Sequence, residues 1–368
     1  MDTTDPDITF DANGVCNHCR VHQRALREHV FSGEEGQRKL DLIAEQIRKD
    51  GAGKPYDCVV GISGGVDSTY AMWLTKQIGL RPLAVHLDNG WNSEIAVKNI
   101  ANALQRLNID LYTHVIDWDE YKDIQRSFLL ASVADVEIPS DHAIMACLSQ
   151  TARKHRIKAI ISGVNTRTES HLPGAWSQGH LDYGYIRDVH RRFGSGRVRT
   201  FPHLSFLDYL RARRFGAQGI AILEYADYTR EKAVEVIERE LGWRDYGGKH
   251  YESVFTRWYQ GCYLPGKFGY DKRRTHLSSL ISSGQLDREV ALVQLQQPPY
   301  DEALQVRDCE YVAKKLGFTR PELDAIFAAP PAKFQDFLSY GKIFDNGFFR
   351  TMRNVRRTFI KSHASSTA

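Results

Sequence analysis

Two periodicities alternate along the chain. Leu40, Ile43 and Ile47 recur at helical spacing in a charged stretch, which predicts a helix over 34–50. A breaker rich in glycine, with a proline, follows at 51–55. Residues 57–62 form an apolar run that reads as a buried strand, and 69–78 as the helix after it. The alternation continues with strand 81–87, helix 94–107, strand 110–116, helix 140–155 and strand 157–162. Strands separated by helices imply βαβ units and a parallel sheet. Residues 171–200, with many Gly, His and Arg, interrupt the pattern and read as a long loop or insertion. Beyond them the pattern gives a short strand at 221–225, then helices at 231–241, 287–297, 302–316 and 320–327. The expected fold class is therefore α/β. A small N-terminal segment carrying a cysteine pair spans 1–50, a parallel-sheet domain 51–240, and a mainly helical domain 241–368.

Composition narrows the class by exclusion. The chain has 368 residues, 42% hydrophobic and 26% charged, which is ordinary for a globular protein and rules out a disordered chain or a rod. Lys+Arg 49 against Asp+Glu 45 leaves +4, so overall charge makes no case for a nucleic-acid or membrane binder. No apolar run is long enough to span a bilayer. The polar, acidic start and six mostly scattered cysteines predict a cytoplasmic protein with reduced thiols.

The richest chemical signal is Ser63-Gly64-Gly65-Val66-Asp67-Ser68, between an apolar strand ending near Gly61 and a helix. Two glycines let the backbone turn tightly and bring its N–H groups to a ligand. The helix that follows adds its unpaired N–H groups and positive dipole end. Ser63 and Ser68 supply hydroxyls, and Asp67 is a candidate magnesium ligand. No Gly-Lys-Ser/Thr closes the string, so it is not the Walker loop, and the adjacent glycines exclude the dinucleotide fingerprint.

The string resembles the SGGxDS loop of the PP-loop ATP pyrophosphatases, whose fold is adenine nucleotide α-hydrolase-like. The resemblance implies that Gly61, Ser63, Gly64, Gly65, Val66, Asp67 and Ser68 bind ATP while a substrate oxygen attacks the α-phosphate. It also implies that adenine is read near the end of the second strand, at His86 and Asp88. The run from Gly163 through Asn165 to Glu169 resembles the second loop of these enzymes, with Gly163 and Asn165 toward ATP and Glu169 toward substrate.

Two further strings narrow the family. One is Gly247-Gly248-Lys249-His250-Tyr251-Glu252-Ser253, followed by Arg257. The other is Asp271-Lys272-Arg273-Arg274-Thr275-His276-Leu277. With the loop, they resemble the N-acetyl sugar amidotransferases of bacterial surface-polysaccharide and O-antigen biosynthesis, over roughly residues 1–300. The resemblance implies conversion of an acetamido group on a sugar or nucleotide sugar to an acetamidino group, with ATP and Mg2+. An amide is a poor electrophile. Transfer of AMP to its oxygen gives an O-adenylyl imidate, which ammonia attacks as AMP leaves. Asp67, Lys249, Lys272 and Arg273 are candidates to hold and neutralise the phosphates. Glu252, ahead of His250, is the candidate proton acceptor or metal ligand. Arg257, Arg274 and His276 are candidate substrate contacts, with a core histidine the alternative for His276.

Glutamine hydrolysis requires a reactive cysteine. Asp2 stands where an N-terminal glutaminase has Cys, and no cysteine sits in a glycine-rich elbow. Ammonia is therefore expected from outside, and the resemblance implies separate glutaminase and cyclase-like channelling subunits. Cys16 and Cys19 form half of a possible zinc site, which takes four ligands. The resembling family carries an earlier Cys-x-x-Cys that this sequence lacks. His18 is a geometrically strained third ligand, and Cys147 and Cys262 are distant ones. Eight arginines in 187–214, including Arg191, Arg192, Arg197 and Arg199, read either as a solvated face or as a grip on a diphosphate or carboxylate. Arg353, Arg356, Arg357 and Lys361 read as a charged, mobile tail, with an approach to acidic lipids or a partner as the alternative. The competing functions are a PP-loop tRNA-modifying enzyme, of thiolase or lysidine-synthase type, and a non-catalytic nucleotide-binding module.

Overall fold

The computed structural model describes residues 1–208, 211, 216–340 and 342. Arg213, Arg214 and the basic tail from Arg353 onward lie outside the described residues. Five strands form one parallel sheet in the order β3-β2-β1-β4-β5. They are β1 Cys58–Gly61, β2 Pro82–Asp88, β3 Leu111–Val115, β4 Ala159–Ser162 and β5 Gln218–Ala221. Helices α1 Asn17–His29 and α2 Gly33–Asp50 precede the sheet. Between strands come α3 Val66–Gln77, α4 Glu94–Leu107, α5 Trp118–Leu130, α6 Ile138–Lys154, the single turn α7 Thr166–Glu169, and α8 Tyr183–Phe193. After β5 follow α9 Arg230–Leu241 and α10 Val254–Trp258, then a wide π-helical segment, Tyr259–Phe268. Helices α11 Arg273–Ser282, α12 Arg288–Gln296, α13 Glu302–Leu316 and α14 Arg320–Ala328 complete the described helices.

The side-chain period of two sorts β1 into two cores. Cys58, Val60 and Ile62 face one layer with α2, α3, α4 and α9. Val59 faces the other, with α5, α6 and α8. Phe255, Trp258, Val312 and Leu316 join that second core, so the C-terminal helices share packing with the sheet. The α/β class expected from the sequence is what the chain adopts, with a mainly helical C-terminal region.

Three local readings change. The strand expected over 221–225 lies earlier: Ala221 ends β5, and Ile222 and Leu223 turn fully into the core as a 3-10 turn. The interruption at 171–200 contains α8, whose Tyr185, Ile186 and Val189 bury against α5 and α6. Helices α1 and α5 add to the elements that the sequence pattern predicts. In α5, Tyr121, Ile124 and Phe128 recur at helical spacing behind the Asp117 cap, whose carboxylate accepts from the Glu120 N–H at 3.0 Å.

Parallel order makes the functional point. The chain runs outward from β1 to β2 and β3, then returns to place β4 on the other side of β1. Val59 pairs with Ile160 and Val60 with Ile161, so the loops after these two strands emerge side by side at the carboxyl edge. Such a switch point is where open α/β sheets bind ligands.

Candidate active site

The loop after β1 is held by its own serines. The Ser63 N–H donates to Ser68 Oγ at 3.2 Å, the Ser68 hydroxyl to the Gly65 carbonyl at 3.2 Å, and the Gly65 N–H to Ser63 Oγ at 3.3 Å. Gly64 has φ +84°, and a Cβ there would lie 2.7 Å from the Ala96 carbonyl oxygen, so conformation and space both require glycine. In the second loop, a Cβ on Gly163 would fall 2.6 Å from the Asp67 carbonyl carbon, so only glycine lets the two loops touch. Asn165 caps α7, accepting from the Thr168 N–H at 3.0 Å and from its hydroxyl at 3.1 Å, and is buried.

Over this floor the chain lays the segment leading to α10. Lys249 Nζ reaches Glu169 Oε1 at 3.0 Å, and the His250 ring lies 3.7 Å from Glu169 and 3.8 Å from Glu252. Glu252 Oε1 stands 3.1 Å from where a Cβ on Gly65 would lie. His250 adopts φ 64°, left-handed backbone that costs a non-glycine residue energy and is found where a site holds it. Together these groups, with Ser63, Asp67, Arg230, Tyr246 and His276, line a cleft of about 230 Å³.

The electrostatics are tightly linked. Burial, then the neighbouring Glu169 charge, raises the Asp67 carboxyl above its ordinary value, while the Tyr228 hydroxyl donates to it. Burial pushes Glu169 the same way, but Lys249 outweighs it and leaves Glu169 below the usual range. Burial works against a charged His250, yet contact with Glu252 raises it overall. Burial and the surrounding cations hold His276 well below its usual value, so it stands neutral, and its Nε2 has no partner.

The sequence candidates thus divide. Ser63, Gly65, Val66, Asp67, Ser68, Gly163, Glu169, Lys249, Glu252 and His276 share the cleft, with Gly61 and Gly64 in its supporting strand and turn. His86 is buried between the Ile62 carbonyl at 2.9 Å and Asn92 at 3.0 Å. Asp88 accepts the Gly90 N–H at 2.9 Å and shapes the turn after β2. Arg257 is taken up by Asp308, at 2.6 and 2.8 Å. Arg273 folds onto Asp271 at 2.7 Å and donates to the Gln297 carbonyl at 2.9 Å. Arg274 pairs with Asp2. Lys272 acts on Glu169 but also on Glu137 and Asp141, an acidic group that no sequence motif marks. Arg191 and Arg192 both clamp Asp188 at 2.6 Å. Tyr246 joins the site from just before the Gly247–Ser253 string, whereas Tyr228 and Arg230 join it without any sequence signal, because an isolated tyrosine or arginine outside a motif carries none.

Cys16 and Cys19 lie with their sulfurs 3.4 Å apart, while His18 turns to Asp5 at 2.5 Å. Cys147 is in the core beside the sheet. Among the described residues no third His, Cys, Asp or Glu completes a metal-holding group with the pair, so these residues do not fit a tetrahedral zinc site.

Comparison with known proteins matches two regions of the chain. A family described as LPS biosynthesis protein WbpG-like, C-terminal domain, matches residues 252–354, and one described as Queuosine biosynthesis protein QueC matches residues 57–175. The chain is thus similar to one family over its sheet and to another over its C-terminal region. The first cleft-lining residue of the WbpG-like region is Glu252 itself, so the cleft is where that region meets the PP-loop. Solved structures similar to the chain include the NH3-dependent NAD synthetase from Campylobacter jejuni subsp. jejuni NCTC 11168 in complex with the nitrate ion. It is 12% identical over 81% of this chain and 98% of that one, with a TM-score of 0.33. The NMN synthetase from Francisella tularensis is 15% identical over 67% and 93%, with a TM-score of 0.32. No curated protein matches the chain. Among the described residues no helix is long and apolar enough to cross a membrane.

Proposed function

We propose that this PP-loop protein is an ATP-dependent amidotransferase that converts an acetamido group of a sugar or nucleotide sugar to an acetamidino group in surface-glycan biosynthesis. The observation that carries this reading is the Lys249–Glu169 and His250–Glu252 assembly. It joins the PP-loop to the start of a region similar to a lipopolysaccharide-biosynthesis family. The loop N–H groups and the start of α3 suit the phosphates of ATP. Asp67 and Glu169 are paired carboxylates whose repulsion a cation relieves, which fits Mg2+; the ion supplies charge neutralisation on the phosphates.

In this reading Lys249 steadies the negative charge that develops as the amide oxygen takes AMP. Neutral His276, with its free Nε2, hydrogen-bonds the substrate. Ionised Glu252 accepts the proton that the attacking ammonia sheds once the C–N bond forms, and His250 holds Glu252 in place. Ammonia is supplied by a separate glutaminase through a channelling partner. Among the described residues none that lines the cleft is a cysteine, which disfavours the tRNA-thiolase alternative.

The test mixes the purified protein with ATP, Mg2+, ammonium chloride and a panel of UDP- and CMP-linked acetamido sugars. Sugar-dependent pyrophosphate release, with a product lighter by the exchange of O for NH, supports the reading. Pyrophosphate release that requires tRNA and ignores every sugar overturns it.

A further inference from the structure

A second cavity, of about 500 Å³, plays no part in the proposed chemistry, and no described residue lines both it and the cleft. Its lining is rich in aromatic rings. Trp176 stacks on Tyr270 with centroids 4.9 Å apart and planes 14° apart, and Phe268 stacks on Tyr270 at 5.8 Å. Tyr185 and Phe334, edge to face at 4.7 Å, add two more rings. Gly179 lets this pair come close: it adopts φ +96°, and a Cβ there would lie 2.6 Å from the Phe334 ring. The rings come from two parts of the chain. Trp176 and Tyr185 belong to the interruption at 171–200, and Phe268, Tyr270 and Phe334 to the WbpG-like region.

One polar atom of this wall is unsatisfied. Trp176 is fully buried, and its Nε1 has no partner among the described residues. A buried indole N–H ordinarily finds an acceptor, so an orphan in a cavity wall marks a place for one. Asp135 also lines the space, but its oxygens are engaged: they accept the Glu137 N–H at 2.9 Å and the Ser177 hydroxyl. The carboxamides of Gln178 and Gln335 meet in a long contact of 3.4 Å, which leaves each with further donors and acceptors.

These groups define the guest by its chemistry. An orphan N–H needs an acceptor, which a cation does not offer. The charged residues of the described lining are Asp7, Asp135 and Lys333, so carboxylates outnumber the cation and a phosphate-bearing guest is disfavoured. Aromatic rings with a few placed carboxamides suit an uncharged ring that has apolar faces and oxygens around its edge. A pyranose has both. An N-acetyl group adds a carbonyl acceptor for the Trp176 N–H and a methyl group for the surrounding rings.

We propose that this cavity binds an N-acetylated sugar ring, so that the protein takes a glycan at two places: the reacting ring at the cleft and a neighbouring ring here. The assignment of the reacting ring rests on the amidotransferase reading. The two places share one short segment. Tyr270 lines the cavity and His276 lines the cleft, and the chain enters α11 at Arg273 between them. Extended steps to Arg273 and helical rise beyond it keep the two Cα atoms within about 16 Å, a span that a short glycan can bridge. Lys272, on the same segment, acts on Glu169 in the cleft. No bond is made or broken in the cavity, which serves to orient the glycan.

The test uses the full chain and two variants. Trp176→Phe keeps a ring and removes the N–H, and Gln335→Ala changes the exposed rim, so the second decides if the first does not fold. Calorimetry without ATP measures binding of N-acetylglucosamine, its β-1,4-linked dimer, glucose and uridine monophosphate. The expected result is binding of the N-acetylated sugars in preference to glucose, weakened about tenfold in Trp176→Phe and less in Gln335→Ala, with AMP binding unchanged. In turnover, a reacting sugar linked to a second N-acetylated ring is expected to have a higher kcat/KM than the free sugar, and Gln335→Ala to narrow the difference. No binding of any sugar, no preference over glucose, or wild-type affinity in the variants overturns the site and leaves the amidotransferase intact. Preferential binding of uridine monophosphate that the variants lose overturns the sugar assignment. A linked sugar used no better than the free one overturns the two-place arrangement. Sugar binding that the variants lose, with no sugar converted by any form, supports the cavity site and overturns the amidotransferase.

Discussion

Lys249 Nζ lies 3.0 Å from Glu169 Oε1, and this contact ties the loop after β4 to the segment that enters the WbpG-like region. Both groups are partly open to the cleft and deeply set within it. The pair holds a cation where phosphate charge would develop. Lys249→Ala is expected to lower kcat for sugar-dependent pyrophosphate release by about 10²- to 10³-fold, the usual cost of losing one preorganised electrostatic partner. Lys249→Arg is expected to recover part of it. Steady-state kinetics of the three proteins checks this, and equal rates would remove Lys249 from the chemistry.

Gly64 tests the loop itself. Alanine at φ +84° meets both an unfavourable backbone and the Ala96 carbonyl at 2.7 Å. Gly64→Ala is expected to cost about 1–3 kcal/mol of stability and to abolish nucleotide binding. Urea melts and binding of a non-hydrolysable ATP analogue would show it. Wild-type nucleotide affinity in the variant would mean that the loop does not cradle phosphate.

Asp141 gives a pH signature with a definite sign. Its ordinary value of 3.8 is raised to about 7 by burial and by the Asp135 charge. Between those values the folded protein keeps a proton that the unfolded chain has released, so rising pH favours unfolding. The penalty is absent below about pH 4 and fully present above about pH 7. Asp141→Asn is therefore expected to gain stability relative to wild type as pH rises through this window. Urea melts at several pH values measure the difference, and a pH-independent difference would show that Asp141 is not raised.

Arg257 separates structure from substrate contact. Its guanidinium makes two bonds to buried Asp308, at 2.6 and 2.8 Å, and its side chain is 13% exposed. Arg257→Ala leaves that carboxylate buried and unpaired, at a cost of about 3–5 kcal/mol. Denaturation is expected to register the loss while KM for sugar stays within about twofold. A large rise in KM with unchanged stability would return Arg257 to the substrate site.

Much of the site is legible from near neighbours in the chain. The strand–Ser63-Gly64-Gly65-Val66-Asp67-Ser68–helix string is contiguous, and its function depends on neighbouring N–H groups, so it can be read without a fold. Strands β1, β2 and β4 are legible because a short apolar run bounded by breakers is too brief for a helix and too apolar for a surface loop. Lys249, Glu252 and His276 stand out as polar residues inside unusual strings, and all three line the cleft.

What a side chain faces is a different kind of fact. Arg257, Arg273 and Arg274 look from sequence like anion binders, and in the fold each pairs with a carboxylate, Asp308, Asp271 and Asp2. Tyr228 reaches Asp67 across 161 positions, and no local pattern encodes that contact. Asp135 and Asp141 read as ordinary polar residues at a helix start until the fold brings the His180 ring beside both. The phosphate-binding loop and the alternation that builds a parallel sheet follow from the order of residues alone, since both rest on short-range geometry. Which charges neutralise each other and which face the cleft follows only from the folded chain, because burial and long-range pairing are set by how β1, β4 and the segment before α10 converge.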